Sequence, residues 1–558
     1  MTLLIAVIGL LATIYAVLPR ERRLELRLRL TFLDAGTAVI VFLLVLYCEF
    51  YPFILSHPIR GIPMAWSLQN WPKDLKQSDA SDLIILLGIG ITAIRMRIRR
   101  LSRGNIKEFR RLLDELYWAG AYEEIFNFLE RHGRALLRLS ASDYAMAHLR
   151  ASLRPFPPQN QWSEFLQQAG TKADKGAPQL SGRLKAGIEP IMRRVVPRLS
   201  WLRHFLPDYT NSENLAQSII SDILLSDQFI TQMVRQRPYL GLALVAAWKR
   251  RRDRTDFIQI YLWKLMEEPS SVLYSELRAN GGMRLENRYD LPDTSRLLNF
   301  FLTDARVAEE NGAYKPIGDY VLMFLDELRQ DPATDPYNRA LGFFQEVEQW
   351  RSPLYAAIRF FDITVEEALH QKIEWHMWLY YMPSIVEKMA RNYRIIDPLS
   401  DANSEWPNRY AYLIYEIFSS LKSWIRDAAE LPRDQRNVVL EHIDDQHENG
   451  NIPKSSIRAL CQCLFHVAVS ENIDESQKRS LTDMVFRLFF EIREMDGFQE
   501  YGTVLLHCIQ GFRSYASEAP EFRNVLRAVF FREETEYRIK HESADVDELK
   551  NFLAAFRV

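Results

Sequence analysis

The sequence predicts an all-α protein, and three observations carry that prediction. Glycine is scarce, 22 residues in 558, against an average near 7%; phosphate loops and βα turns consume glycine, so scarcity disfavours α/β folds. Apolar residues recur at helical spacing along most of the chain, while strand-type alternation is nowhere sustained. Three uncharged apolar stretches also crowd into the first hundred residues and do not recur. Together these predict an integral membrane protein: about three N-terminal transmembrane helices holding a large helical cytoplasmic region.

The anchor is expected over residues 1–104, with spans at about 2–18, 33–55 and 80–98. A spanning helix needs about 20 mostly apolar residues to cross a hydrocarbon core of ~30 Å. Leu3 to Leu18 is slightly short. It lacks the basic amino end of a signal peptide and closes on Tyr-Ala-Val-Leu-Pro-Arg, so retention is expected. Leu30 to Leu55 is the longest, interrupted by Asp34 and Glu49. Leu83 to Ile94 is the shortest, and counts as a span only if Arg95 and Arg97 snorkel. Two crossings plus an interfacial piece is the alternative.

Orientation follows from basic flanks. Arg20, Arg22, Arg23, Arg27 and Arg29 follow the first stretch, and eight basic residues from Arg95 to Arg111 follow the third. The 56–79 loop holds only Arg60, Lys73 and Lys76. The expectation is a multi-pass protein of an inner, bacterial-type membrane, with its N-terminus outside and its C-terminal region cytoplasmic. Trp66, Trp71 and three prolines suit a loop lying along the outer surface, with ligand sensing as the sharper reading. Asp34 and Glu49 are the candidate intramembrane polar groups, although solvation near the interfaces explains them equally. Gly9 with Thr13 and Gly88 with Thr92 would permit close helix contact.

Residues 1–111 carry 16 basic and 8 acidic side chains, which leaves 54 basic and 64 acidic in the rest. A body near −10 is no nucleic-acid binder by charge. Four cysteines, Cys48, Cys461, Cys463 and Cys508, are too few for a disulfide framework; Leu460, Leu464 and Val467 around two of them predict buried thiols. Leu215, Ile219, Ile223 and Ile230 mark one helix face, and Ile414, Ile417, Phe418, Leu421, Trp424 and Ile425 another. The uncharged run Tyr239 to Trp248 reads as a buried helix ended by Lys249, Arg250, Arg251 and Arg252. Arg23 to Leu30, alternating charge and leucine, is expected along the cytoplasmic interface.

Clusters of Pro, Gly and polar residues set the boundaries. They give a helical hairpin segment at 105–153, a linker at 154–187, a helical domain at 188–396, a linker at 397–408 and a C-terminal helical domain at 409–558. Asn280 to Pro292 is the most irregular central stretch, a place where binding commonly occurs.

The clearest local pattern runs from Leu113 to Glu130: an apolar helix, Gly120 at a turn, Tyr122 two residues later, then a second helix. It resembles one tetratricopeptide (TPR)-type hairpin. The resemblance covers under 30 residues and no 34-residue period follows, so it implies an antiparallel helix pair more than a repeat protein. Gly88-Ile-Gly90-Ile-Thr-Ala93 matches a dinucleotide fingerprint formally, but the arginines after it leave no apolar stripe to pack on a sheet.

Two clusters carry metal-type donors. Glu367 and His370 sit three apart on a helix with Glu374 nearby, half of the pattern that helical di-iron sites require. His442, Asp444 and His447 gather oxygen and nitrogen donors in a polar turn. A packed aromatic helix and a solvated loop are the plainer explanations. There is no Walker loop, HExxH, GxSxG or paired CxxC, so no catalytic residue and no cofactor is assigned.

The expected function is a membrane-anchored interaction or signalling protein, with the lipid bilayer and a protein partner as its contacts and a homo-oligomer possible in principle. The alternatives are an oligomerising, membrane-perturbing effector of an antiviral or self-killing module, and a metal-dependent enzyme with an unrecognised site.

Overall fold

The computed structural model describes Gly9, Thr13 and residues 15–29, 32–50, 77–98, 101–141, 210–280, 284–285, 288–289, 291–371, 378–395, 405–430, 452–510 and 520–555. These residues are almost wholly helical, so the all-α expectation holds. The chain divides into two compact units: Met1–Ser226 with Ala247–Arg250, and Asp227–Ala246 with Arg251–Val558.

The first unit contains α1 (Arg20–Arg29), α2 (Phe32–Glu49), α3 (Gln77–Ile98), α4 (Ile106–Trp118), α5 (Tyr122–Ala141) and α6 (Thr210–Ile219). Helices α2 and α3 pack antiparallel. Ser81 donates to Glu49 at one end (3.4 Å) and Arg95 pairs with Asp34 at the other (3.4 Å). Gly88 lies against Val41 midway, where a Cβ would meet Val41 Cγ2 at 2.7 Å. Val45, Cys48 and Ile85 are buried along this seam.

The membrane architecture is overturned. No helix among the described residues is long and apolar enough to cross a membrane. The uncharged stretch between Asp34 and Glu49 is fourteen residues and that between Asp82 and Arg95 is twelve, or about 21 and 18 Å at ~1.5 Å per residue. Both fall short of a ~30 Å core. The integral, multi-pass, inner-membrane assignment and the topology attached to it are therefore withdrawn. The expected first span, apart from Gly9, Thr13 and residues 15–18, lies outside the described residues, as does the 56–76 part of the expected outer loop.

The physical reason lies in the arginines. They were weighed as topology signals and as snorkelling ends, whereas the structure uses them as ion-pair partners. Arg27 reaches Glu108 (3.3 Å) and Glu115 (3.5 Å), Arg20 reaches Glu124 (3.8 Å), and Arg131 reaches Glu25 of α1 (2.6 Å). The alternating segment α1 thus lies against α4 and α5. Arg22 and Arg29 also pair with Glu25, which is almost fully buried.

Helices α4 and α5 form the hairpin that the Leu113–Glu130 pattern describes. Phe109, Leu112, Leu113 and Leu116 of α4 bury against Ile125, Phe126, Leu129 and Leu136 of α5. Gly120 adopts φ 66° in the turn, a conformation open to glycine at little cost. Tyr122 folds back edge-on to Tyr117, with ring centres 6.0 Å apart. Helix α6 packs on both and continues as one π turn, Ile220–Leu224. The chain breaks at Leu225 and Ser226, so Ile223 and Ile230 belong to different helices, contrary to the single face read from their spacing.

The second unit opens with α7 (Asp227–Gln236), α8 (Pro238–Ala247), α9 (Arg251–Glu267) and α10 (Val272–Asn280), then a two-residue hairpin of β1 (Arg284–Leu285) and β2 (Arg288–Tyr289). There follow α11 (Arg296–Leu302), α12 (Ala305–Asn311), α13 (Tyr314–Gln330), α14 (Pro353–His370), α15 (Tyr381–Asn392), α16 (Arg409–Glu430), α17 (Ile452–Val469), α18 (Glu475–Glu494), α19 (Gln499–Gln510), α20 (Pro520–Lys540) and α21 (Ser543–Ala555). Helix α13 lies on α9 and α15, α14 on α16, and α17 on α15, α16 and α19; α18 packs on α19 and α20. The apolar face of α16 is fully buried from Ile414 to Ile425. Helix α8 matches the uncharged run, burying Leu240, Leu242, Leu244 and Val245.

Two close approaches need glycine. A Cβ on Gly318 would meet the Tyr381 ring at 2.2 Å, and one on Gly241 the Tyr261 ring at 2.6 Å. The carboxy end of α15 is held by distant segments. Ser470 and Asn472 donate to the Ala390 carbonyl (3.2 and 3.3 Å), and Asn338 donates to that of Asn392 (3.0 Å). The Tyr393 hydroxyl donates to Asp474 (3.0 Å).

Candidate interaction surface

Helices α2 and α3 are each apolar all round, yet among the described residues only their mutual seam is buried. Away from that seam, Val39, Ile40, Phe42, Leu43 and Leu44 of α2 stay exposed. So do Leu83, Leu86, Leu87, Ile89, Ile91 and Ile94 of α3, the whole set spanning 39–63% exposure. Single exposed leucines are ordinary, but a run of them along one side of a helix marks a candidate interaction surface. Gly36 and Gly90 lie among these residues with no atom within 4 Å of where a Cβ would stand.

The most polar place in the second unit is the middle of α14, otherwise an apolar helix. Asp362, 3% exposed, accepts from Trp424 Nε1 (2.9 Å) and from the Tyr289 hydroxyl (2.6 Å). Arg359 reaches the same carboxylate (3.0 Å) and donates to the Tyr289 hydroxyl (2.6 Å). Burial works against the Arg359 charge, but Asp362 and the tyrosines around it keep it protonated. Burial pushes the Tyr289 hydroxyl well above its ordinary value and raises the Glu416 carboxyl beside the cluster. Every strong donor here has an acceptor, which is what a buried charge requires. Tyr289 of β2, within the irregular 280–292 stretch, belongs to this cluster.

Sequence reasoning passed over Arg359 and Asp362. The available signal was a charged pair three residues apart inside a run of apolar residues, opposite an interior tryptophan.

Of the expected metal donors, only Glu367 and His370 are among the described residues. Glu367 is buried and accepts from Gln371 (3.2 Å), while His370 ends the same helix partly exposed. Glu374, His442, Asp444 and His447 lie outside the described residues. No group of three or more metal-type donors occurs among the described residues. Asp34 is buried against Arg95, and Glu49 is exposed beside Ser81. Cys461 and Cys463 are buried, as their neighbours predicted, and burial raises both thiols well above the ordinary range. Gly88 of the formal fingerprint sits mid-helix against Val41.

No family model, no curated protein and no solved structure matches this chain.

Proposed function

We propose that this chain is a helical interaction protein that binds a protein partner through the outer sides of the α2–α3 pair. The supporting observation is eleven large apolar side chains of α2 and α3 that stay exposed on the sides of the two helices turned away from their buried seam. Burying such side chains releases about 25 cal/mol per Å² of apolar area, a driving force the isolated chain forgoes.

The test is differential capture. Tagged full-length chain and the double variant Leu43→Lys/Leu86→Lys are compared for the proteins each recovers from the native source, with helical content checked by circular dichroism. The expected result is a defined partner set recovered by the wild type and lost by the variant. Identical recovery by both folded proteins would remove the reading.

A further inference from the structure

We infer that the first unit's partner is an acidic polypeptide segment with apolar side chains of its own, its carboxylates meeting an arginine stripe on α5. This rests on the reading of α2 and α3 as a protein-binding surface. The whole chain is nearly neutral, at −2, but its two units are not. Met1–Ser226 with Ala247–Arg250 holds 31 Lys and Arg against 20 Asp and Glu, and the remainder holds 39 against 52. The first unit is therefore near +11 and the second near −13, an asymmetry that points to an anionic partner for the first.

The positive charge has a defined surface. Arg131, Arg134 and Arg138 fall at i, i+3 and i+7 on α5 and so share one face, opposite the buried Leu129, Leu136 and Leu137. No acidic residue follows Glu130 in that helix. Arg134 and Arg138 are exposed and make no ion pair among the described residues. Arg27 and Arg110, by contrast, are paired within the unit, with Glu108 (3.3 Å) and Asp222 (2.9 Å). The helix dipole favours a cation only in the last turn, which accounts for Arg138 but not for Arg134. Helix α1 links the stripe to the apolar surface: its Glu25 accepts from Arg131 (2.6 Å), and it ends three residues before α2 begins.

Two features select a polypeptide among anions. The exposed apolar residues of α2 and α3 turn away from the shared seam, to different sides. A lipid surface is planar and meets one side, whereas a segment that folds on binding can wrap both. Nucleic acid supplies phosphates for the arginines but makes polar interfaces that leave leucine uncovered. Carboxylates match the guanidinium fork two bonds at a time.

Fluorescence anisotropy of the full-length chain at low salt tests this with two labelled peptides: oligoglutamate, and the same number of glutamates interspersed with leucine. Both are expected to bind saturably, with Kd rising about tenfold or more in Arg134→Glu/Arg138→Glu and an unchanged circular dichroism spectrum. The leucine-bearing peptide should bind more tightly, and Leu43→Gln/Leu86→Gln, which alters no charge, should abolish that advantage. Equal binding by wild type and the arginine variant overturns the inference. So does tighter binding to oligouridylate of the same charge or to phosphatidylserine vesicles, and so does leucine that brings no advantage. In each of those cases the protein-binding reading still stands if Leu43→Lys/Leu86→Lys loses the proteins that the wild type captures from the native source.

Discussion

Helices α3 and α14 are close in length and both rich in apolar residues, yet they invert each other. Helix α3 turns leucine and isoleucine outward and keeps its charges at its ends. Helix α14 buries sixteen of its eighteen residues, Asp362, Glu366 and Glu367 among them, with Arg359 left partly exposed at the edge of that interior. The difference teaches that hydrophobicity alone does not say which helix is core. What matters is whether polar groups on the helix find partners: in α14 Asp362 pairs with Arg359 and Glu367 accepts from Gln371, whereas α3 has a side with nothing described to cover it.

Breaking the pairing in α14 should have the largest effect. Asp362→Leu strands the Arg359 guanidinium, the Trp424 ring N–H and the Tyr289 hydroxyl in a dry interior. Removing one partner of a buried charge pair costs about 3–5 kcal/mol, so the urea midpoint of the second unit, followed by tryptophan fluorescence, should fall sharply. A stability equal to wild type would mean the cluster is wetter than its burial implies. Next comes Gly318→Ala, whose Cβ has to displace the Tyr381 ring. Overpacking of that kind costs about 1–3 kcal/mol, read in the same transition.

Two neighbouring glycines of α3 sharpen the contrast within one helix. Gly90→Ala faces open space and should stabilise the helix by about 0.5–1 kcal/mol. Gly88→Ala drives a methyl into Val41 and should lose that gain or reverse it, as thermal melts of the two variants would show.

A change in pH dependence follows from Glu276, which is buried and accepts from the Leu297 and Leu298 amides at the start of α11 (both 3.0 Å). Burial raises its carboxyl above the ordinary 4.5, although the amides, the Tyr239 hydroxyl and Arg296 act against that rise. A raised folded value means the native state holds the extra proton between the unfolded and folded values, so stability falls as pH rises through that window. Glu276→Gln should flatten this part of the denaturation-midpoint profile relative to wild type; parallel profiles would refute the assignment. The smallest expected effect is Leu86→Lys on the first unit's own stability, within about 0.5 kcal/mol for an exposed site. A larger loss would show that the outer face is packed.

Much of the helical body was legible because the 3.6-residue period reports burial directly: the α16 face, the α8 run and the Gly120 turn all lie where the pattern placed them. Three features were not. The break after Ile223 was hidden because a π turn keeps apolar residues inward while shifting the register, so spacing looked continuous. The arginines after the apolar runs were misjudged because such a residue means one thing beside lipid headgroups and another beside a carboxylate, as Arg27 meets Glu108 and Arg95 meets Asp34, and the sequence holds no distance between them. The α14 cluster was missed for a similar reason. Tyr289, Asp362 and Trp424 are far apart along the chain, and only packing makes them one site. The candidate surface itself was visible as composition, but was assigned the wrong surroundings.

The clasped end of α15 has a consequence for synthesis. The carbonyls of Ala390 and Asn392 receive hydrogen bonds from residues 80 or more positions later and 54 earlier. While the ribosome is still translating the stretch up to Asn472, the Ala390 carbonyl lacks the donors that Ser470 and Asn472 supply in the folded chain. The centre of the second unit therefore cannot close until α17 and the turn after it have left the exit tunnel, so a nascent chain arrested before Ser470 should be cut readily by protease near Asn392, and one released after Asp474 should resist.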